Sequence, residues 1–361
     1  MKMMSGPSDH PSILDESEGI LMISDQERYS RQFLFPPIGV AGQEKLRASR
    51  VVIVGLGALG SALSQHMVRA GVGFVRLIDR DYVEPSNLQR QMLYDEQDAL
   101  QSLPKAEAAA IHLRAFNSSV HVEPLVTDVT WRNAEKLLTD VDLILDGTDN
   151  FEIRYLINDV AIKHKIPWIY GGAVSARGVL LPVIPEDGPC LRCLFPEPPG
   201  PGDAPTCDTV GVIGPVVDVV ASLQAAEALK WLVGDRDHLR RTLLHLDLWG
   251  NEWSEISVSH ARRPDCPTCG LRRFDFLSPR EREAISLCGR NAVQVTLGSP
   301  LDLDALEPRL SALGRVRRNP FLLRAEIEGK RLTLFPDGRV LVQGTDDPAV
   351  ARSLCARFVG V

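Results

Sequence analysis

The chain lacks any apolar run of transmembrane length, and Met1 to Gly19 holds Pro, Gly, Ser, Asp and Glu where a secretory signal needs an apolar segment. A cytoplasmic, membrane-free protein is expected. It also lacks a cationic surplus: 40 Lys and Arg stand against 47 Asp and Glu, a net charge of -7. That balance argues against nucleic acid as the main partner, while leaving room for a local basic pocket that takes phosphates. The eight histidines show neither metal-ligand spacing nor a nucleophile beside them, so satisfied structural or surface roles are the default for them. Cysteines are few and odd in number, seven in all, with four of them in two Cys-x-x-Cys pairs; this fits a reducing compartment and a bound metal better than a disulfide framework. No internal repeat is present. What remains is an ordinary globular composition, 361 residues with 44% apolar and 24% charged, enough for one large α/β domain and a smaller one.

The most informative stretch is Val51-Val-Ile-Val-Gly-Leu-Gly-Ala-Leu-Gly60. Four β-branched residues run into Gly55, Gly57 and Gly60, the pattern of a buried strand meeting a phosphate loop. Gly55 permits the tight turn, Gly57 removes a Cβ that would block backbone approach to phosphate, and Gly60 lets the next helix lie close on the strand. Leu59, Leu63 and Met67 follow at helical spacing, so a helix N-terminus is aimed at the anion. A second strand, Phe74 to Asp79, ends on an acid at the position from which a ribose hydroxyl is held. The unit reads as a nucleotide site in a Rossmann-like, doubly wound, mostly parallel sheet.

Upstream, Ser24-Asp-Gln-Glu27 has capping-box spacing and predicts a helix start after a disordered tail (1–23); Arg28 and Arg31, three apart, are spaced to share a helix face, with plain solvated surface charges as the other reading. Downstream, the polar segment Arg80 to Gln91 follows a strand's C-terminal end, where open α/β sheets bind ligands. Asn87 and Gln91 suit adenine or ribose, Arg90 suits a phosphate, and Lys105 at the start of an Ala-rich helix is a second phosphate-reaching cation. Asp149 leaves the strand Val141 to Asp146 at the same edge, either as a ligand or as the cap of the helix Phe151 to His164. Cys190-x-x-Cys193 and Cys266-x-x-Cys269 each bite one metal from a tight turn, and two bites complete a closed tetrathiolate; a redox dithiol and unpaired structural cysteines are the rivals. Phe195 to Pro205 is rich in Pro and Gly and predicts a mobile loop that leaves Cys207 exposed. A long apolar helix, Pro215 to Val233, follows. From Cys288 the pattern changes to a small α+β unit, in which Cys288 and Cys355 read as core residues rather than reactive thiols.

Arg28-Tyr-x-Arg31-Gln, the glycine turn, Asp79-x-Asp81, Asn87-Leu-Gln-Arg-Gln91, Pro104-Lys105 and Thr148-Asp-Asn150 together resemble the ThiF/MoeB/HesA adenylyltransferases, bacterial relatives of ubiquitin-activating enzymes. The resemblance runs in order from about Ser24 to about Phe276, with Ala58 where the family's glycine pattern has a further Gly. It implies an adenylyltransferase domain over 24–276 with a zinc site, followed by a small domain over 277–361 like the extensions of some thiamine-pathway members. It implies ATP and Mg2+ as cofactors beside Zn2+, and attachment of AMP to the C-terminal glycine of a ubiquitin-like sulfur carrier of the ThiS or MoaD type. Carried over, Asp79 holds ribose, Arg90 and Lys105 the phosphates and Asp149 magnesium. Asp81, Asn87 and Gln91 belong to the same pocket. Arg31 reaches the triphosphate of a neighbouring subunit, so a homodimer is expected. Cys207, before Asp208-Thr-Val210-Gly211, matches a crossover-loop cysteine that links covalently to the carrier or accepts sulfur from a donor protein. Val210 stands where Ala is more usual, and an inert, partly buried thiol is the other reading.

Three other functions compete. A nicotinamide-dependent oxidoreductase shares the glycine turn and Asp79 but leaves the Arg90 segment unexplained. An ATP-dependent dehydratase of a modified tRNA base, from the same superfamily, sits poorly with the acidic net charge and the paired cysteines. A non-catalytic zinc scaffold has no need of the charged motif positions.

Overall fold

The computed structural model describes residues 23–200, 205–278, 284–287 and 291–360. The expected tail, apart from its last residue, lies outside the described residues, and so does Cys288. Eight strands form the first sheet: β1 (Arg50–Val54), β2 (Phe74–Asp79), β3 (His121–Val126), β4 (Leu143–Asp146), β5 (Trp168–Val174), β6 (Arg177–Val183), β7 (Thr242–Asp247) and β8 (Glu252–Ser257). Their order is β3-β2-β1-β4-β5-β6-β7-β8. Pairings from β3 to β5 are parallel and those from β5 to β8 antiparallel.

The run Val51 to Val54 is apolar without alternation because both faces of β1 are covered. Val51 and Ile53 pack with Leu63, Met67 and Leu113 on one face, while Val52 and Val54 pack with Tyr155, Val160 and Trp168 on the other. Each such side chain, fully buried, stabilises the fold by roughly 1.5–3 kcal/mol. The chain leaves β1 towards β2 and β3 on one side and returns to β4 on the other. The order therefore reverses between β1 and β4, and a crevice opens at their carboxyl ends, the point at which such sheets bind ligands.

Helix boundaries follow local signals. The helix Phe151–His164 starts where Asn150 Oδ1 accepts the Glu152 N–H at 2.8 Å and stops at Lys165 in the left-handed region. The 20-residue helix Gly214–Val233 packs against the helix Ala58–Ala70 and the sheet, and ends on left-handed Gly234. Among the described residues no helix is long and apolar enough to cross a membrane. At the start of the described chain the capping box at Ser24 is present, but the helix breaks at Tyr29 into Asp25–Arg28 and Ser30–Phe33. Tyr29 is buried and its hydroxyl accepts Asn117 Nδ2 at 2.8 Å, so Arg28 and Arg31 do not share one helix face as expected.

The second sheet is antiparallel throughout: β9 (Ala284–Leu287), β10 (Ala292–Thr296), β11 (Arg315–Arg318), β12 (Leu323–Ile327), β13 (Lys330–Leu334) and β14 (Arg339–Gln343), in the order β11-β12-β13-β14-β10-β9. The expected hairpin at Pro336-Asp-Gly338 joins β13 to β14. Helices Leu303–Ser311 and Pro348–Phe358 cover one face, where Cys355 is buried in the core as expected. The opposite face sits on the first unit. Leu322 and Phe335 pack on Tyr82, Gln294 Nε2 donates to Asp128 Oδ2 at 3.2 Å, and Arg339 Nη1 donates to the Arg80 carbonyl at 3.0 Å.

Candidate nucleotide site and thiolate cluster

Register brings the expected residues to one edge. Val54 pairs with Ile78 on one side and Asp146 on the other, so Gly55, Asp79 and Gly147 emerge side by side. Gly55 has φ +82°, and a Cβ there would meet the Gly147 carbonyl oxygen at 2.9 Å. A Cβ on Gly60 would overlap the Gly55 carbonyl oxygen, which is why the helix seats only on glycine. At Gly57 a Cβ would find only Gln91 Nε2, 3.9 Å away, so the turn is open to an approaching phosphate at the helix N-terminus.

Asp79 is buried and bridges the turn to its own loop: Oδ2 accepts the Leu56 N–H at 2.6 Å and Oδ1 the Asp81 N–H at 2.7 Å. Burial pushes its carboxyl up from the ordinary range, while Lys105 pulls it back. Lys105 is itself buried, its Nζ 3.5 Å from Asp81 Oδ2 and its N–H on the Asp81 carbonyl. Asn87 Oδ1 accepts the Glu84 N–H at 3.1 Å and shapes the loop; Arg90 Nη1 donates to the Ser86 carbonyl at 3.0 Å. Gln91 is buried with its Oε1 unpartnered among the described residues, an acceptor awaiting a donor.

Three members of this edge escape a reading of the sequence. Arg80 Nη1 lies 3.1 Å from Asp128 Oδ2; burial alone would lower its pKa, but Asp128 and Asp81 hold it above the usual value. Asp146, wholly buried at the end of β4, accepts the Thr148 N–H and hydroxyl on Oδ1 and Arg154 Nε on Oδ2 at 3.0 Å. Arg154 also donates Nη2 to the carbonyls of Thr148 at 2.7 Å and Gly171 at 3.1 Å, tying β4, the Asp149 loop and β5 together. Its spacing of eight residues from Asp146 was the available signal. Asp149 is exposed above this floor, within electrostatic reach of both Arg80 and Arg154. It does not cap the following helix, a role that Asn150 takes.

Arg31 is not gathered here. Its neighbour Gln32 donates to the Ala70 carbonyl, and Tyr29 lies against Gly71, so Arg31 sits exposed beside the far end of the helix Ala58–Ala70. Thirteen residues make that helix about 20 Å long. Cys207 corrects an expectation: it is half-buried rather than exposed, because it opens the short helix Cys207–Val210, where Thr206 and Thr209 form a capping box. Its Sγ donates to the Ala173 carbonyl at 3.5 Å, next to the carboxyl end of β5.

The four paired cysteines converge on a second centre. Their Sγ atoms all lie within 4.8 Å of one another, with Cys193 to Cys269 at 3.3 Å, Cys190 to Cys266 at 3.6 Å and Cys190 to Cys193 at 3.9 Å. A tetrahedral zinc tetrathiolate needs sulfur–sulfur edges of about 3.8 Å, so the donor set fits that ion with no open position. Contact with the neighbouring thiols pushes Cys190 up and holds Cys193 down. The helix that begins at Asn150 supports both centres. Further along it Asn158 Oδ1 accepts the Leu191 N–H at 2.9 Å, and Asp159 accepts Thr268 Oγ1 at 2.8 Å and the Phe276 N–H at 2.9 Å.

Comparison with known proteins agrees with this geometry. The chain is 46% identical over 337 residues to the sulfur carrier protein ThiS adenylyltransferase of Bacillus subtilis (strain 168), covering 92% of this chain and 99% of that one. It is 41% identical over 271 residues to the sulfur carrier protein adenylyltransferase of Thermus thermophilus, covering 73% and 96%. Its fold is similar to the crystal structure of E. coli MccB with MccA-N7isoASN, at a TM-score of 0.59 and 25% identity over 67% of this chain and 75% of that one. The ThiF family model matches residues 29–268, from Tyr29 through the first three paired cysteines, and the chain belongs to the ThiF family.

Proposed function

We propose that this chain uses ATP to adenylate the C-terminal glycine carboxylate of a ubiquitin-like sulfur carrier. The observation that carries the reading is the convergence of Asp79, Asp81, Lys105, Arg80 and Asp149 on the open glycine turn at the switch point between β1 and β4. A carboxylate is ionised at neutral pH, so its attack on the α-phosphorus needs no general base, only alignment and neutralised charge. A carboxylate oxygen bonds to the α-phosphorus, the bond to the bridging β-phosphate oxygen breaks, and pyrophosphate leaves with the electron pair. A site of Arg, Lys and Asp suits that demand.

In this reading Asp79 binds ribose, with Asp81, Asn87 and the unpartnered Gln91 Oε1 completing the nucleoside pocket. Lys105 and Arg90 take the phosphates. Asp149 is the ligand for Mg2+, which supplies Lewis-acid neutralisation of the triphosphate. Arg31 is about a helix length from its own glycine turn and serves the site of a second copy, making the enzyme a homodimer. Zn2+ on Cys190, Cys193, Cys266 and Cys269 is structural. The catalytic machinery belongs to 24–276, with 277–361 as an appended unit, and the working compartment is the cytoplasm.

The carrier has a landing place at the same edge. The turn from β7 to β8 lies beside the carboxyl end of β5, since Leu248 N–H bonds the Ala176 carbonyl; it exposes Trp249, and Trp253 is exposed just beyond it at the start of the edge strand β8. An apolar patch of this kind on an edge strand suits a protein partner. From there a Gly-Gly tail runs past Cys207 and Ala173 to the floor at Asp146. After adenylation the Cys207 thiolate then attacks the acyl carbon and displaces AMP, or it attacks the outer sulfur of a donor protein's persulfide and displaces the donor's thiolate. The test is carrier-dependent exchange of labelled pyrophosphate into ATP. Exchange with carriers ending in Gly-Gly, and none with a carrier shortened by its last glycine, is expected; hydride transfer to a nicotinamide in place of exchange would overturn the reading.

A further inference from the structure

The face of the second sheet turned away from its helices carries a cluster of arginines. Leu323, Ala325 and Ile327 of β12 point into the core, so Arg324 and Glu326 point the other way. Register sets Glu326 between Arg315 on β11 and Arg331 on β13, and sets Arg317 directly opposite Arg324. Like charges facing one another across neighbouring strands destabilise a sheet. Among the described residues one carboxylate serves the group, with Glu326 Oε1 3.4 Å from Arg331. Among the described residues neither Arg317 nor Arg324 has a carboxylate partner.

These five side chains enclose a cavity of about 130 Å3. A water's share of liquid volume is about 30 Å3, so the space suits a small polyatomic ion. Arg324 is fixed over the Tyr82 ring at 4.5 Å, and its Nε and Nη2 are buried with no acceptor among the described residues. Buried donors without acceptors are costly and rare in folded chains. A partner that carries negative charge and several acceptor oxygens at the spacing of a guanidinium fork satisfies these donors and the surrounding positive charge together, and that is the chemistry of a phosphate group.

We propose that this cavity is a binding site for a phosphate-class oxyanion, distinct from the nucleotide site and built at the seam where β12 meets the Tyr82 loop. Its ligand is either the free ion, phosphate or pyrophosphate, or the phosphoryl group of a nucleotide such as AMP. Arg315, Arg317 and Arg331 are exposed and close on the ion from the solvent side, while Arg324 forms the fixed base.

Calorimetric titration of the full, zinc-loaded chain with phosphate, pyrophosphate and AMP tests it, with Arg317→Gln and Arg331→Gln chains in parallel. Both substitutions are at exposed positions and should leave the melting curve unchanged. Besides the nucleotide site, which takes AMP and pyrophosphate in its own right and which these substitutions leave untouched, one further saturable site per chain is expected, weakened by added salt, and weakened in each variant by at least about tenfold, the loss for one charge-assisted hydrogen bond. Sensitivity confined to phosphate and pyrophosphate identifies the free ion; AMP binding with the same sensitivity identifies a nucleotide. Absence of that further site for all three, or affinities that both substitutions leave unchanged, would overturn the proposal.

Discussion

Replacing Arg154 by methionine removes the cation that ties the floor of the site together while keeping most of the side chain's length. In the native chain the Arg154 side chain is 7% exposed and faces a carboxylate that is 0% exposed. Removing one partner of a buried ion pair costs about 3–5 kcal/mol. An independent bound comes from the escape open to Asp146, which can take up a proton. Neutralising a carboxyl of ordinary pKa near 4 at pH 7 costs about 4 kcal/mol, and near 1.5 kcal/mol at pH 5. The two figures agree, so Arg154→Met should lose about 4 kcal/mol at pH 7 in urea denaturation, a large part of a typical domain's stability. The sign of the pH dependence follows. Burial already raises the Asp146 carboxyl, with Arg154 opposing, and loss of Arg154 raises it further. An acid whose folded pKa is raised contributes stability that is full below its unfolded value and is lost as pH rises through the folded value. The deficit of Arg154→Met should therefore shrink on going from pH 7 to pH 5. Adding Asp146→Asn should restore part of the loss, with a coupling of at least about 2 kcal/mol. A deficit below about 1 kcal/mol at pH 7, or one that does not shrink on acidification, would refute the reasoning.

Metal analysis should find one zinc per chain, and Cys190→Ser should lose it together with thermal stability; a chain that melts normally without metal contradicts the assignment. Arg31→Ala and Arg90→Ala chains should each be nearly inactive, and mixing them with verified subunit exchange should restore up to about a quarter of the sites under random pairing. No recovery would put Arg31 in its own chain's site. Cys207→Ala should keep pyrophosphate exchange and slow thiocarboxylate formation, whereas an unchanged rate in the complete system would leave that thiol without a covalent role. Trp253→Ala should raise KM for the carrier without changing KM for ATP; equal effects on both would move the docking surface elsewhere.

The parts of the fold that the sequence announces are those whose signals are local. Val51 to Val54 running into glycine specifies strand, turn and helix because buried parallel strands are continuously apolar and Gly55 alone tolerates its φ beside Gly147. The helix Phe151–His164 has the expected ends because Asn150 caps it. Contacts made across the chain leave weaker traces. Asp146 reads as the last residue of a strand and Arg154 as one charge on a helix, and only the parallel pairing of β4 with β5 brings Gly171 close enough for Arg154 to join them. The strand Arg315–Arg318 has one apolar residue in four, which hides it from any test of alternation. Cys207 was expected in open loop because Pro and Gly precede it, but the Thr206–Thr209 capping box is enough to start a helical turn. The seat of the second sheet on Tyr82 and Asp128 joins residues far apart in the chain, and no spacing rule foretells it.

The central claim is most directly tested by following both ends of ATP in a single turnover with a carrier ending in Gly-Gly. With ATP labelled at the α-phosphorus, the label should appear on the carrier's C-terminal glycine as an acyl-adenylate, one per carrier. With ATP labelled at the γ-phosphorus, it should appear in pyrophosphate, and Asp149→Ala should abolish both transfers. Label that stays in ATP, or γ-label that transfers to the carrier or is released as phosphate alone, would contradict the account.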